Sequence, residues 1–502
     1  MTVEEELILL RQENQALREQ DRVKQEQLDL QHEQLSQQAQ QIELLQQQVT
    51  LLTQQVQALQ DRLKKDSHNS HLPPSSDRFA RQPKTKSLRK KSGKQPGGQE
   101  GHDGSTLLLC EQPDQVIVHE VSRCGQCQQD LRTQASLSQE RRQVIDLPPK
   151  RVVVIEHQAE SKWCPRCQQV TQACFPEDVS APVQYGPAFG ALAIYLVQQQ
   201  LVPYARASEV LYDLLGQTMS VGTIERLIER CANQLEPVEQ QIKEALVQSA
   251  VVHQDETGLY VAGQRQWLHV SCTPTLTHYA VHAKRGKAAL EAIGILAHFT
   301  GTSIHDGWQA YWQYACRHGL CNVHHLRELT FLEEVQGQDW AGKMKTLLLD
   351  MKAAVEQARA AGHTSLPDTE RAQWHARYQA VLHEGYLANP PDPPTSPPKK
   401  GRRKQSTALN LLDRLSKHED AVLAFLDDFA VPFDNSLAER DIRMVKVQQK
   451  ISGCFRSGAG AQAFCRIRGY LSTLRKQGKD LLLALELALV GHPVLPASSL
   501  PV

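Results

Sequence analysis

A seven-residue repeat runs along the N-terminal stretch and sharply limits what it can become. Position a holds Leu7, Asn14, Asp21, Leu28, Leu35, Ile42, Val49, Val56 and Leu63, while position d holds Leu10, Leu17, Lys24, Gln31, Gln38, Leu45, Leu52 and Leu59. A helix with this seam can bury it only against another helix, so residues 1–65 are expected to form a coiled coil (leucine zipper) that associates chains as a homodimer or higher multimer. Ile42, Val49 and Val56 at a, set against Leu45, Leu52 and Leu59 at d, favour a parallel pair. Asn14 at an a position would help to fix the register, and Lys24, Gln31 and Gln38 at d weaken the middle. A merely glutamine-rich disordered segment would have no reason to hold one register over so many heptads.

Lys plus Arg and Asp plus Glu are equal at 56 each, so any affinity for nucleic acid must be local. Twelve cysteines in a chain with a polar start and no long apolar stretch point to a reducing cytoplasm, nucleoid-associated if DNA is bound, rather than to a secreted disulfide scaffold or a membrane. Residues 66–106 turn to Pro, Ser, Gly and basic types. Within them Arg78, Arg81, Lys84, Lys86, Arg89, Lys90, Lys91 and Lys94 occur without an acid. Such an arm cannot bury enough to fold alone, but it can neutralise phosphates and gain affinity by counterion release. The alternative is a solvated linker that binds nothing.

Residues 107–178 carry Cys124-Gly125-Gln126-Cys127 and Cys164-Pro165-Arg166-Cys167. Two CxxC knuckles supply the four thiolates of one tetrahedral structural Zn²⁺. The Val- and Ile-rich residues 143–157 between them read as the strands of a zinc ribbon. A redox role would need only one CxxC on a βαβ unit. Cys110 and Cys174 flank the module and read as packing residues.

Residues 179–247 read as a helical domain. In 205–235 two amphipathic helices are separated by a break at 216–220, with Ser220 able to cap the second. The pattern permits a helix-turn-helix that reads DNA and equally a plain helical hairpin. Residues 248–480 then show a strand signal at 249–252 running into Asp255. Further strand signals follow at 266–271 and 277–282, then a helix at 287–298, and a strand at 302–305 running into Asp306. That order is expected of a ribonuclease-H-like α/β domain, in which carboxylates at neighbouring strand ends converge on one sheet edge. Hard divalent cations prefer such oxygen ligands, so Mg²⁺ or Mn²⁺ is the expected metal. The fold class is therefore multidomain α/β: a mixed RNase-H-like sheet preceded by coiled coil, zinc ribbon and helical domain. A helical insertion at about 331–404 interrupts the core, and 481–502 form a C-terminal tail.

The stretches HQDETG (253–258), IHDGW (304–308), LCNVHHLREL (320–329) and FDNSLAERDIRMVKVQQKISGCFRSGAGAQAF (433–464), with GGQEGH (97–102), closely resemble the transposases of the insertion sequence 66 family. The resemblance covers nearly the whole chain. It implies a DDE-type transposase acting on double-stranded DNA at element ends and target, with Asp255, Asp306 and Glu439 in the three acidic positions. As in many relatives, small accessory transposition proteins would be partners. The family's last motif usually has two asparagines where this chain has Asn435-Ser436.

Two-metal phosphoryl transfer asks for such a set: three carboxylates suffice to clamp two ions roughly 3.5 to 4 Å apart, one beside the attacking and one beside the leaving oxygen. Glu256 should point to the opposite side of a continuing strand from Asp255. Taken singly, Asp306 could be a turn residue before Gly307, and Glu439 the third member of a capping box begun by Ser436. Cys321, His324 and His325 read as bracing groups rather than a second metal site. Lys446, Lys450 and Arg456, with Arg466, Arg468, Arg475 and Lys476, would present charge that holds DNA. Two other functions remain open on residues alone: a noncatalytic zinc and coiled-coil DNA-binding regulator, and an RNase-H-like nuclease that cleaves without joining.

Overall fold

The computed structural model describes residues 3–65, 69–70, 109–113, 115–119, 121–123, 126–135, 141–143, 152–390 and 405–497. Cys124, the basic residues between Arg78 and Lys94, and the GGQEGH segment lie outside the described residues. In chain order the elements are α1 (Val3–Leu63), β1 (Ser161–Cys164), β2 (Gln169–Gln172), α2 (Pro187–Ile194), α3 (Tyr204–Leu215), α4 (Val221–Gln234), α5 (Glu236–Val247), β3 (Val251–Val261), β4 (Gln264–Cys272), β5 (Thr277–His282), α6 (Lys287–Ile293), β6 (Thr302–His305) and β7 (Arg317–Leu320). Then follow α7 (Asn322–Gln336), α8 (Asp339–Ala360), α9 (Asp368–Ala388), α10 (Thr407–Lys417), α11 (Glu419–Val422), α12 (Ala424–Asp427), α13 (Ser436–Ser452), α14 (Gly458–Lys476) and α15 (Leu481–Leu489). Among the described residues no helix is long and apolar enough to cross a membrane.

The chain divides into two compact units, residues 1–85 with 320–434, and 86–319 with 435–502. In the first, α7 to α10 bury stripes at helical spacing, Leu326 and Leu329 on α7, Leu347, Leu348 and Met351 on α8, and Leu411, Leu412 and Leu415 on α10. The helices between β7 and α13 begin at Asn322 and continue to Asp427, so they run beyond both ends of the 331–404 interval. Helix α1 presents Leu28, Leu35, Ile42, Leu45, Val49, Leu52, Val56 and Leu59 to solvent.

In the second unit five strands pair in the order β5-β4-β3-β6-β7. β4 runs antiparallel to β3 and β5, and β6 runs parallel to β3. Gly301 makes the parallel step possible. A Cβ there would collide with the Ala250 carbonyl, whereas Thr302 N–H now donates to that oxygen at 2.8 Å. One apolar cluster joins Leu259, Leu268 and Val270 of the sheet to Ala438, Ile442 and Val445 of α13 and to Phe464 of α14. Another joins Val252, Leu290 and Tyr311 to residues of α2, α4, α5 and α15. Residues 481–489, expected in a tail, are helical because Ala484, Leu485, Ala488 and Leu489 bury against that cluster.

The helical pair of the sequence forms as read. α3 ends at Gly216, whose φ of 73° suits the left-handed cap, and Ser220 Oγ accepts from Thr223 N–H at 3.2 Å to start α4. The exposed side of α4 carries Glu225 and Glu229 among Arg226 and Arg230, so it is not a uniformly basic face. The expected helix at 287–298 is divided: α6 stops at Gly294 in the left-handed region and a short 3₁₀ turn occupies Leu296–His298.

Candidate metal centre and its surroundings

Asp255 and Asp306 are neighbours by register. The parallel ladder pairs Val251 with Thr302, Val252 with Ser303 and His253 with Ile304. Two more steps bring Asp255 level with Asp306, the residue that immediately follows β6. Side chains alternate along a strand, so His253, Asp255 and Leu259 face α13, while Val252 and Glu256 face the other apolar cluster. Asp306 turns the chain sharply: its Oδ1 accepts from Trp308 N–H at 2.9 Å.

Glu439 arrives from α13 on the Asp255 side. The capping-box reading of this helix start fails, because Asn435 is the N-cap and Ser436 is the first helical residue, which leaves Glu439 one position too late. Nor does Asn435 cap its own helix. Its Nδ2 donates to the Gln254 carbonyl at 2.8 Å and its Oδ1 lies 2.8 Å from His253 Nδ1.

Burial pushes the Asp255 carboxyl well above the usual range, the charges of Glu256, Asp306 and Glu439 push it the same way, and one hydrogen bond from the Glu256 amide at 2.8 Å opposes them. Crowded acids of this kind are relieved by a cation. An all-carboxylate oxygen set fits a hard divalent ion such as Mg²⁺ or Mn²⁺.

Glu256 does face away from Asp255, yet it is far from idle. Its side chain is 2% exposed. Oε1 accepts from Arg285 Nη2 at 2.6 Å and from Nε at 2.9 Å, and Oε2 accepts from the Tyr311 hydroxyl. It thereby ties β3 to the loop after β5 and to the turn after Asp306. The Arg285 guanidinium also lies over Trp267 at 4.9 Å and Trp308 at 4.2 Å. Behind Asp306, Gly307 N–H donates to His305 Nδ1 at 3.0 Å, and His305 Nε2 lies 3.0 Å from His318 Nδ1.

The basic residues after Glu439 sort into two sets. Arg440, Arg443, Lys446, Lys450 and Arg456 are exposed, and burial followed by the charge of Arg265 holds the Lys446 ammonium below its usual range, against the pull of Asp255. Three of the others leave the expected DNA-holding set. Arg466 is paired with Glu239 at 2.6 Å. Arg468 is buried and donates to the carbonyls of Gln198 and Gln199 at 3.1 and 2.8 Å. Lys476 donates to Asp441 at 2.8 Å. All three hold the fold together, which helical spacing alone does not reveal.

In the cysteine segment, β1 and β2 form a hairpin around Cys164 and Cys167, with Gln168 N–H donating to the Cys164 carbonyl at 2.9 Å. Gln128 and Gln168, each directly after the second cysteine of its pair, both take positive φ, 63° and 52°. The first pair is bracketed by the bridge between Arg123 and Asp130. The residue after the second cysteine thus takes the same kind of backbone turn in both pairs. Amide hydrogen bonds from Cys167 and Arg166 hold the Cys164 thiol below its usual range, which suits a thiolate ligand. The strands lie at 161–172 rather than within 143–157, where the described residues form none; Val153, Val154 and Ile155 are exposed and pair with nothing that would extend the hairpin. Cys110 and Cys174 are exposed and so do not pack. Cys321 and His325 are buried, with His325 Nδ1 3.1 Å from Asn322 Oδ1.

Comparison with known families places this arrangement. Residues 182–463, more than half of the chain, match the model of the transposase IS66 family. The chain belongs to the IS66 family of transposases. Residues 122–168, which span both knuckles, match the zinc-finger binding domain of transposase IS66, and residues 11–107 match a family of unknown function (DUF6444). No curated protein matches the chain. As a member of a transposase family it is a DNA-processing enzyme. Sequence reasoning on this IS66 chain gave no role to Asn435, His253, Arg285 or Tyr311, although the first two stand inside the motifs that carried the resemblance.

Proposed function

We propose that the protein is a DNA transposase that cleaves and joins strands at the ends of its own insertion sequence, with Asp255, Asp306 and Glu439 as the catalytic, metal-holding acids of an RNase-H-like core. The convergence of these three carboxylates carries the proposal. They come from a strand, a strand end and a helix, and two of them contribute to the raised Asp255 pKa. Three antiparallel strands continued by a parallel one, with α13 over the sheet, support the RNase-H-like reading.

When bound, two Mg²⁺ or Mn²⁺ ions would supply charge neutralisation at the attacking and leaving oxygens of an in-line displacement. The chain's own part is placement. β3 and β6 present Asp255 and Asp306 side by side, and α13 lowers Glu439 onto the same face. Glu256 with Arg285 and Tyr311 keeps the Asp306 turn against β3. Arg440, Arg443, Lys446, Lys450 and Arg456 would offer phosphate contacts beside the acids, and the arm from Arg78 to Lys94 would add salt-dependent affinity.

Cys124, Cys127, Cys164 and Cys167 would hold one structural Zn²⁺, for which the donor set and the shared backbone turn at Gln128 and Gln168 are suited. Helix α1 would pair with the same helix of a second chain, since its apolar seam is exposed from Leu17 to Leu63; bringing two element ends together needs such a multimer. We place the activity in the cytoplasm, on the chromosome. Incubation of labelled element ends with the protein and Mg²⁺ tests the whole reading: nicked and joined products support it. Cleavage without any joining would make the protein a nuclease, and binding without cleavage would make it a regulator.

A further inference from the structure

We propose that Asn435 is a positioning residue: its side-chain amide, clamped to His253 and Gln254 of β3, sets the register of α13 and so holds Glu439 beside Asp255. This rests on the reading of the three acids as a metal-holding set.

The first reason is what Asn435 gives up. Asparagine at an N-cap ordinarily accepts from the second or third amide of its own helix. Here no side-chain cap is made. The residue is 2% exposed, and its amide is turned instead to the strand that carries Asp255. A carbonyl can only accept, so the 2.8 Å contact with Gln254 O orients Nδ2 toward it and leaves Oδ1 for the His253 Nδ1–H, also at 2.8 Å. The clamp therefore reads two successive residues of β3. A local rule of helix starts is broken where a long-range contact replaces it, which is where function is expected.

The second reason is register. From His253 to Asp255 the strand advances roughly 6.6 Å, and from Asn435 to Glu439 the helix advances about 6 Å. If helix and strand run together, the clamp brings Glu439 level with Asp255. They do run together, because farther along both Lys446 Nζ and Gln449 Nε2 donate to the Gly258 carbonyl, at 3.1 and 3.2 Å. Asn435 is also bonded to Glu439 directly, its carbonyl accepting the Glu439 amide at 3.2 Å. A slip of one helical residue would turn Glu439 about 100° off the sheet face.

A second anchor on the same helix provides the comparison that separates positioning from mere support. Asp441 accepts from Thr277 Oγ1 at 3.1 Å and from Lys476 Nζ at 2.8 Å, and so ties α13 to β5 and α14. The experiment measures Mn²⁺ affinity by titration calorimetry, and the melting temperature, on the zinc-loaded full chain. Wild type is compared with Asn435→Ala, His253→Phe, Asp441→Asn and Asp255→Ala. Asn435→Ala should weaken Mn²⁺ binding by roughly 10-fold or more, the range seen when groups that orient metal ligands are removed. His253→Phe, which removes half of the clamp and keeps a ring of similar size, should act in the same direction with a smaller effect and serves if the alanine variant does not fold. Asp441→Asn should lower the melting temperature while leaving Mn²⁺ affinity nearly unchanged. If Asn435→Ala and His253→Phe bind Mn²⁺ as tightly as wild type, the inference is wrong while the reading of the acids stands. It is equally wrong if affinity merely follows melting temperature across the Asn435 and Asp441 variants. If wild type binds Mn²⁺ no better than Asp255→Ala, the reading of the acids fails and takes this inference with it.

Discussion

The sheet and the cysteine hairpin both present ligand-type side chains, yet they hold them in opposite ways. Asp255, Asp306 and Glu439 are far apart in sequence and meet because Val252, Leu259, Leu268 and Val270 are fully buried and α13 packs over the sheet. Each fully buried aliphatic side chain of this kind contributes on the order of 1.5–3 kcal/mol, so the acids are crowded together by packing whether or not a cation is bound. Cys164 instead ends a strand of four residues and Cys167 sits in the turn to the next, and Trp163 and Val170 of these two strands are 61% and 65% exposed. There the local turn sets the ligand geometry and little burial stands behind it. A small module without a core of its own depends on metal for its fold. On the proposed reading the sheet would impose its site on the metal, whereas the metal would complete the hairpin.

The sharpest test of this contrast is to remove one acid. Asp255→Ala, Asp306→Ala or Glu439→Gln should each lower end cleavage by roughly 10³-fold or more, and a triple variant should be little worse, since a set acting as a unit is lost with any member. Gel shifts should show DNA binding retained and calorimetry a folded sheet. Glu256→Gln should stay within about 10-fold of wild type, because its carboxylate braces Arg285 and Tyr311 from the other face. If Glu256→Gln is inactive while Glu439→Gln cleaves normally, the third acid has been misassigned.

At the hairpin the order of dependence should reverse. Cys164→Ser, or treatment with a chelator, should lower zinc from about one ion per chain to none and abolish the structured hairpin signals, with the melting of the sheet unchanged. Full zinc occupancy in Cys164→Ser would rule out the four-thiolate site.

Helix α1 extends the comparison to a third region, one whose apolar seam has neither a core nor a metal to cover it. A fragment of residues 1–66 should sediment as a dimer at micromolar concentration. A monomer would remove the basis for chain pairing through this segment.

A smaller effect belongs to the sheet alone. Burial pushes His269 down to about 4, and the charges of His282 and Arg285 add to it. The folded state thus keeps this histidine neutral while the unfolded chain takes up a proton near pH 6.5. Its contribution is complete above pH 6.5 and is lost as pH falls from 6.5 toward 4, by up to about 3 kcal/mol. Urea unfolding followed by tryptophan fluorescence should show this slope in wild type and a shallower one in His269→Gln; equal slopes would mean that the imidazole is protonated without penalty.

What could be read from the residues was what local rules control. The break and caps around 216–220, the strands at 277–282 and 302–305 and the heptads of α1 follow from periodicity, end residues and side-chain alternation, because those preferences act over a few residues. The same alternation correctly set Glu256 apart from Asp255. Of the strands placed in 143–157, the described residues 152–157 form none, because a Val- and Ile-rich run becomes a strand only where another strand pairs with it.

The sequence by itself therefore determined the kinds of element, the family and the order of the three acids. Only the tertiary structure decided which polar groups are free to act. Arg466, Arg468 and Lys476 read as DNA-holding charges until their partners at Glu239, Gln199 and Asp441 were seen. Asn435 has no legible role until β3 is set beside it, and the His253 it grips lies 182 positions away. Hydrogen bonds over such separations leave no periodic trace along the chain, because their geometry exists only once packing has brought the two segments together.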